Sequence, residues 1–318
     1  MELTPGLRRV PPPDLDAVGE ATGLAGRIRT EIVRDGPITF ARFMDLALYD
    51  PDDGYYRAGE ARPGRAGDFL TAPETHPIFG AALARAADEI WQRLDRPTRF
   101  VIREYGAGDG ALAVSILAGL RASGSELQEA VRYQPIEVDP RRVESLRARL
   151  LEDGFGAVLE APGVAPVSGL VMANEVLDAL PVHRVVQRGA ELCEVLVGVG
   201  DDGRWIDVEA APTTPALAAR LEAEGVALAD GQRAEICLAI DAWVGAAAAG
   251  LERGVLLLID YGYPALELYD PIRRRQGTLR AYVRHRVHDD PYRHIGRQDL
   301  TAHVDATAVE RAAAAAGL

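Results

Sequence analysis

One segment limits the folds open to this chain more than any other: FVIREYGAGDGAL, residues 100–112, passes from an apolar run through three glycines into a second apolar run that continues to Ala122. The first run reads as a buried strand, Gly106 to Gly110 as a tight turn, and residues 111–122 as a helix. A strand that turns straight into a helix opens a βαβ unit, and the pattern repeats downstream. Strands are expected at 133–138, 169–174 and 254–260, with a helix over 141–151. Short, continuously apolar strands separated by helices predict an α/β fold on a mostly parallel, doubly wound sheet.

The flanking segments follow other rules. Pro11 to Pro13 make residues 1–22 an extended tail. Leu24, Ile28 and Ile32 recur at helical spacing until Gly36-Pro37 stops that helix, and a second helix is expected over 40–49. Residues 50–77 are rich in glycine and proline, a long loop of the kind that is usually either functional or disordered. Residues 23–98 are therefore read as N-terminal helices with a long loop. HRVVQR, LCEVLVGV and RWIDV, separated by Gly189 and Asp202-Gly203, read as an antiparallel meander. With a following helix it forms an insertion, residues 181–231, in an α/β core of residues 99–180 and 232–318.

Composition excludes several classes of function. Apolar residues make up 48% of the 318 positions, enough for a sizeable core. A net charge of −13 argues against a nucleic-acid surface, because phosphate binding rests on clustered positive charge. The most apolar stretch, 239–259, is broken by Asp241, Glu252 and Arg253, and the first residues lack the apolar core of a signal peptide, so no membrane insertion is expected. Cys193 and Cys237 are too few and too far apart for a disulfide scaffold or a zinc site. No metal and a cytoplasmic setting are the corresponding expectations.

The glycine turn lets a backbone approach a ligand closely, and the helix N-terminus behind it favours a carboxylate or phosphate. Gly106, Gly108 and Ala111 satisfy a dinucleotide pattern, which calls for an acid roughly 20 residues on. The acid ending the next strand is Glu137, 31 residues beyond Gly106. Glu104 would repel a pyrophosphate but could pair with the ammonium of a methionine-derived cofactor. S-adenosyl-L-methionine is therefore favoured over a nicotinamide cofactor, and a tight turn without any ligand is the bland alternative. Glu137 can accept hydrogen bonds from ribose hydroxyls. Asn174, Glu175 and Asp178 follow the 169–174 strand, where ligands lie in open α/β sheets.

These residues resemble the MidA family of methyltransferase-like proteins, whose mitochondrial members act in respiratory complex I assembly by dimethylating an arginine of a complex I subunit. The resemblance runs from about Gly26 to Leu318 through GPITFARFMDLALYDPDDGYY, GDFLTAPETHPIFG, EYGAGDGAL, IEVDP, ANEVLDALPVHR, LLLIDYGY, GTLRAYVRH and DLTAHVD. It implies a Rossmann-like class I methyltransferase fold and S-adenosyl-L-methionine as cofactor. Glu104, Gly106, Gly108 and Gly110 match the family's glycine motif, Glu137 its ribose-binding acid, and Asn174, Glu175 and Asp178 its strand-four motif. Gly67, Asp68, Phe69 and Thr71 match a loop closing over cofactor and substrate, which implies that the long loop within residues 23–98 is an active-site loop. Asp260, Tyr261, Gly262 and His285 match motifs lining the same end of the sheet.

The resulting expectation is transfer of a methyl group to an arginine of a protein partner. Glu175 is expected to clamp the guanidinium, helped by Asp178 and Asp68. A non-catalytic assembly chaperone and, behind it, a nicotinamide-dependent oxidoreductase are the competing readings. Family members continue past the point matching Leu318, so a sheet short of at least one strand is expected, with self-association through its exposed edge.

Overall fold

The computed structural model describes residues 15–57 and 77–318. The calls on Gly67, Asp68, Phe69 and Thr71, and most of the expected tail, lie outside them. Along the first half run α1 (Thr22–Asp35), β1 (Ile38–Thr39), α2 (Phe40–Tyr49), α3 (Ile78–Arg93), β2 (Phe100–Tyr105), α4 (Ala111–Ser123), α5 (Leu127–Ala130), β3 (Val131–Ile136), α6 (Pro140–Glu152) and β4 (Val167–Asn174). Then come β5 (His183–Arg188), β6 (Glu191–Val199), β7 (Trp205–Ala210), α7 (Ala216–Ala223), β8 (Arg233–Ile236), α8 (Ala239–Ala249) and β9 (Leu251–Ile259). The chain closes with β10 (Gly262–Tyr263), α9 (Ala265–Leu268), β11 (Arg280–Val283), β12 (Arg286–His288), β13 (Asp299–Thr301), β14 (Val304–Asp305) and α10 (Ala306–Ala315).

Local chemistry sets the helix ends. The Thr39 hydroxyl accepts from the Arg42 amide and caps α2, while Asp139 caps α6 ahead of Pro140, a residue preorganised for the first helical turn. Asp305 does the same for α10. The central sheet has the order β3-β2-β4-β9 with every pair parallel. The chain enters at β2, steps to β3 on one side and then to β4 on the other. The order reverses between β2 and β4, which opens a crevice beyond their carboxyl ends.

One face of this sheet packs Phe100, Ile102, Leu170 and Met172 against Leu83, Ala87 and Trp91 of α3 and Ile116 and Leu120 of α4, all buried. The other face packs Ala173 against Ile240 and Val244 of α8 and Ala308 and Ala312 of α10. A second, antiparallel sheet has the order β1-β6-β5-β8 with β7 on β6. The meander is therefore not a self-contained insertion: it takes in β1 from the N-terminal unit and β8 from beyond residue 231. A three-stranded sheet, β12-β11-β13, lies near the end of the chain. Leu279, Ala281, Ile295 and Leu300 there share a core with α1 and α2.

Among the described residues, β9 is an edge strand of the parallel sheet, with residues 252–255 exposed. Glu252 and Arg253 sit on it, and charges of this kind blunt an edge against pairing with another chain. That works against the self-association expected there.

Gly169 and Gly254 face each other in the β4–β9 register. Both have φ in the range closed to other residues, 150° and 139°. A Cβ on Gly169 would lie 2.2 Å from the Val101 carbonyl oxygen of β2. The centre of the sheet can close only with a hydrogen there. Gly169→Ala is expected to destabilise the fold by about 2–4 kcal/mol, read from denaturant unfolding with the m-value unchanged.

Candidate functional site

At the crevice beyond β2 and β4 lies a cavity of about 250 Å³. Its floor is the glycine turn, Gly106 to Asp109, with Ala111 and Leu112 of α4. One side is formed by Ile136 to Val138 and Arg142, the other by Asn174 to Val176 with Ala179, and Trp243, Tyr49 and Tyr56 complete the wall. Gly106, Gly108 and Gly110 have φ of 66°, 56° and 84°. A side chain on Gly106 would strike Val176 Cγ2 at 2.6 Å, whereas a Cβ on Gly108 would meet no atom within 4 Å. The loop is thus pressed against the β4 turn at one glycine and open to the cavity at the next.

Glu104 lies beneath this loop and is 2% exposed. The Tyr133 hydroxyl donates to its Oε2 at 2.5 Å. Burial pushes its carboxyl up to about 8, and the charge of Glu137 adds to the shift while the Tyr133 hydrogen bond opposes it. Glu137 closes the loop from the side: its Oε2 accepts from the Gly108 amide at 2.9 Å and its Oε1 from the Val138 amide at 2.8 Å. Oε1 also accepts from the Asp139 amide at 3.4 Å, which leaves Oε2 as the oxygen with a lone pair for a ribose hydroxyl.

The segment after β4 is sharply turned. Glu175 has φ 51°, a left-handed conformation that a non-glycine residue rarely adopts and that concentrates at functional sites. Its amide donates to the Ile259 carbonyl at 2.8 Å, and the residue lines the cavity. Asn174 lines it too, with Oδ1 buried and without a hydrogen-bond partner among the described residues. A buried acceptor left without a donor at a cavity wall is the kind of group a ligand satisfies.

Other sequence candidates sit elsewhere. Asp178 is buried and does not line the cavity; the Tyr261 hydroxyl donates to its Oδ2. Burial and the charges of Asp260 and Asp299 hold the Asp178 carboxyl well above the usual carboxylate range. Asp260 serves the backbone: Oδ2 accepts from the amides of Val176 (3.1 Å), Leu177 (2.9 Å) and Asp178 (3.3 Å), and Oδ1 from that of Tyr261. Neither Asp260 nor Tyr261 reaches the cavity. His285 is farther out in the architecture, exposed at the tip of the β11–β12 hairpin with φ 59° after Arg284 at 47°. A two-residue hairpin turn with both φ positive matches strand twist, which gives His285 a conformational role.

Tyr49, Tyr56, Arg142 and Trp243 were not singled out from the sequence. Tyr49 and Tyr56 lie in a motif quoted above, GPITFARFMDLALYDPDDGYY, but nothing local says that this segment returns over the sheet. Their rings stack with centroids 5.6 Å apart. Trp243 meets Tyr105 edge to face at 5.2 Å.

The raised carboxyl of Glu104 has a consequence for the ligand-free fold. Relative to an ordinary glutamate at 4.5, stability is fully present below about pH 4.5 and is lost as pH rises through about 8. Glu104→Gln, neutral at every pH, should match the wild type at pH 4 and melt at a higher temperature at pH 9. Ligand-free thermal melts across that range check this.

Comparison with known proteins agrees with the geometry. Residues 82–318 match the model of a family described as "putative S-adenosyl-L-methionine-dependent methyltransferase". A crystal structure from Burkholderia thailandensis, holding S-adenosylhomocysteine, is 36% identical and superposes with a TM-score of 0.82 over 97% of this chain and 80% of that one. Among curated relatives, the protein arginine methyltransferase NDUFAF7 homologue of Drosophila melanogaster is 29% identical over 313 residues, 89% of this chain and 68% of that protein. The human protein arginine methyltransferase NDUFAF7 is 28% identical over 328 residues, 93% and 70% respectively. Both relatives are named as mitochondrial, so the cytoplasmic setting expected from the cysteines does not stand. The nicotinamide reading falls as well, since the matching family is one of methyltransferases and the similar Burkholderia structure holds S-adenosylhomocysteine. The chain belongs to the S-adenosyl-L-methionine-dependent methyltransferase family.

Proposed function

We propose that this methyltransferase acts on an arginine side chain of a protein partner. The observation that carries the reading is Glu175, a carboxylate held in a left-handed turn on the cavity wall across from the glycine loop. The names of the curated relatives support the same acceptor.

The cavity suits the cofactor. The glycine loop and the α4 N-terminus would hold its carboxylate, Glu104 its ammonium, Glu137 its ribose and Asn174 a donor that its buried Oδ1 lacks. When bound, S-adenosyl-L-methionine supplies an electrophilic methyl group on a sulfonium. The protein's work is then positioning and exclusion of water. A guanidinium has a pKa above 12 and its charge is delocalised, so its nitrogens are poor nucleophiles. Glu175 can accept from two of its N–H groups, fixing the planar fork and drawing positive charge toward the far nitrogens. The methyl-accepting nitrogen would gain a bond to carbon at the expense of the cofactor's sulfur–carbon bond, which leaves a neutral thioether as the product, and would release one proton to solvent.

Two expected outcomes follow from these assignments. Glu137→Ala should weaken S-adenosylhomocysteine binding by about 1.5–3 kcal/mol, because it removes the ribose acceptor and also releases the Gly108 amide; calorimetry measures it. Glu175→Gln should leave that affinity within about twofold while reducing methylation of protein arginine about 10- to 150-fold, the worth of hydrogen bonds to a charged group. A radiolabelled-methyl assay on cell lysate, followed by amino-acid analysis of the product, measures both rate and acceptor. Label on lysine or on a carboxylate would overturn the arginine assignment.

A further inference from the structure

Tyr56 is held by a residue that never reaches the cavity. Its hydroxyl donates to Asp299 Oδ1 at 2.8 Å, across 243 residues of sequence. Asp299 lies on β13 and is 2% exposed. Tyr49, stacked on Tyr56, donates its own hydroxyl to the Ala179 carbonyl at 3.0 Å. Both hydroxyls of the stacked pair are therefore anchored, one to the three-stranded sheet and one to the segment that follows β4. The wall is wedged between the element bearing Glu175 and an element with no part in the cavity.

The Tyr56 ring already meets a guanidinium. The Arg142 guanidinium carbon lies 5.8 Å from its centroid, and Arg142 lines the same cavity. An aromatic face within about 6 Å of a delocalised cation is a favourable contact. A ring free to swing would make that contact only part of the time.

We infer that Asp299 is a positioning residue for the acceptor: through the Tyr56 hydroxyl it fixes the Tyr49–Tyr56 pair as the aromatic wall against which a planar cationic side chain is held beside Glu175. This rests on the arginine reading above. Asp299 touches neither cofactor nor acceptor; it acts on the acceptor through the orientation of the wall, while its charge also bears on the buried Asp178. The chemistry the wall selects is a flat, delocalised cation, not a neutral amide of similar shape.

The probes are the peptides Gly-Arg-Gly and Gly-citrulline-Gly, the second being neutral and nearly isosteric, added to the full chain saturated with S-adenosylhomocysteine. Affinities are read by saturation-transfer NMR, alongside S-adenosylhomocysteine affinity and melting temperature. The wild type should prefer the arginine peptide. Asp299→Ala should lose about tenfold of that affinity, as expected for one buried hydrogen bond, and Asp299→Asn, which keeps an acceptor oxygen, should recover part of it. S-adenosylhomocysteine affinity should stay within about twofold throughout. In a Tyr56→Phe background, Asp299→Asn should cost nothing more, because the linking hydroxyl is already gone.

A wild type indifferent to arginine against citrulline would overturn the arginine reading and this inference with it. A wild type that prefers arginine, with both Asp299 variants matching it, would overturn the inference alone. So would losses that track cofactor affinity and melting temperature, or additive effects in the Tyr56→Phe background.

Discussion

The Asp260 carboxylate shapes the cavity wall from outside the cavity. One oxygen gathers three successive backbone amides, Val176 to Asp178, and the other holds the Tyr261 amide. This ties the end of β9 to the turn after β4 and sustains the left-handed conformation of Glu175, which by itself costs on the order of 1–3 kcal/mol. Burial raises the Asp260 carboxyl above its ordinary range, and the same four amides offset only part of that rise. Four donors to one carboxylate favour the ionised form and leave it little capacity for a ligand. The residue is part of the scaffold that aims Glu175.

The cavity's electrostatics follow from the same economy of charge. Glu104, Asp109, Glu137 and Glu175 line it and, among the described residues, Arg142 is the one basic residue in the lining. A ligand carrying sulfonium and ammonium charges, followed by a guanidinium, suits such a wall; a pyrophosphate does not. The energetic cost of assembling these acids falls on the ligand-free protein, most visibly at Glu104, whose burial is tolerated by protonation.

The parts of the site that the sequence discloses are those whose geometry is local. Glu104, the glycine loop and α4 form one continuous strand, turn and helix, and Glu137 ends the adjacent strand, so spacing alone brings them together. Asp178 was legible as a polar residue beside a ligand crevice and Asp260 as part of a family motif, but sequence does not say whether a carboxylate faces a ligand or its own backbone. His285 followed the family motif to a hairpin tip, where turn geometry explains it. Tyr49 and Tyr56 were missed because their placement depends on β1 joining β6 and on α1 and α2 sharing a core with residues near 281 and 300. Helix α3 went unmarked because it follows a long glycine- and proline-rich stretch that obscured where regular structure resumes.

The reach of the Tyr56–Asp299 contact also bears on the order in which the molecule is made. A ribosome finishes β2, β3, β4 and the glycine loop well before residue 299 emerges, so the cofactor floor can form while one aromatic wall still lacks its anchor. Contacts between such distant parts of a chain are slow to form because loop closure must precede any gain. A nascent chain halted before β13 would carry a cofactor floor without a finished wall, and ligand would stabilise full-length molecules preferentially.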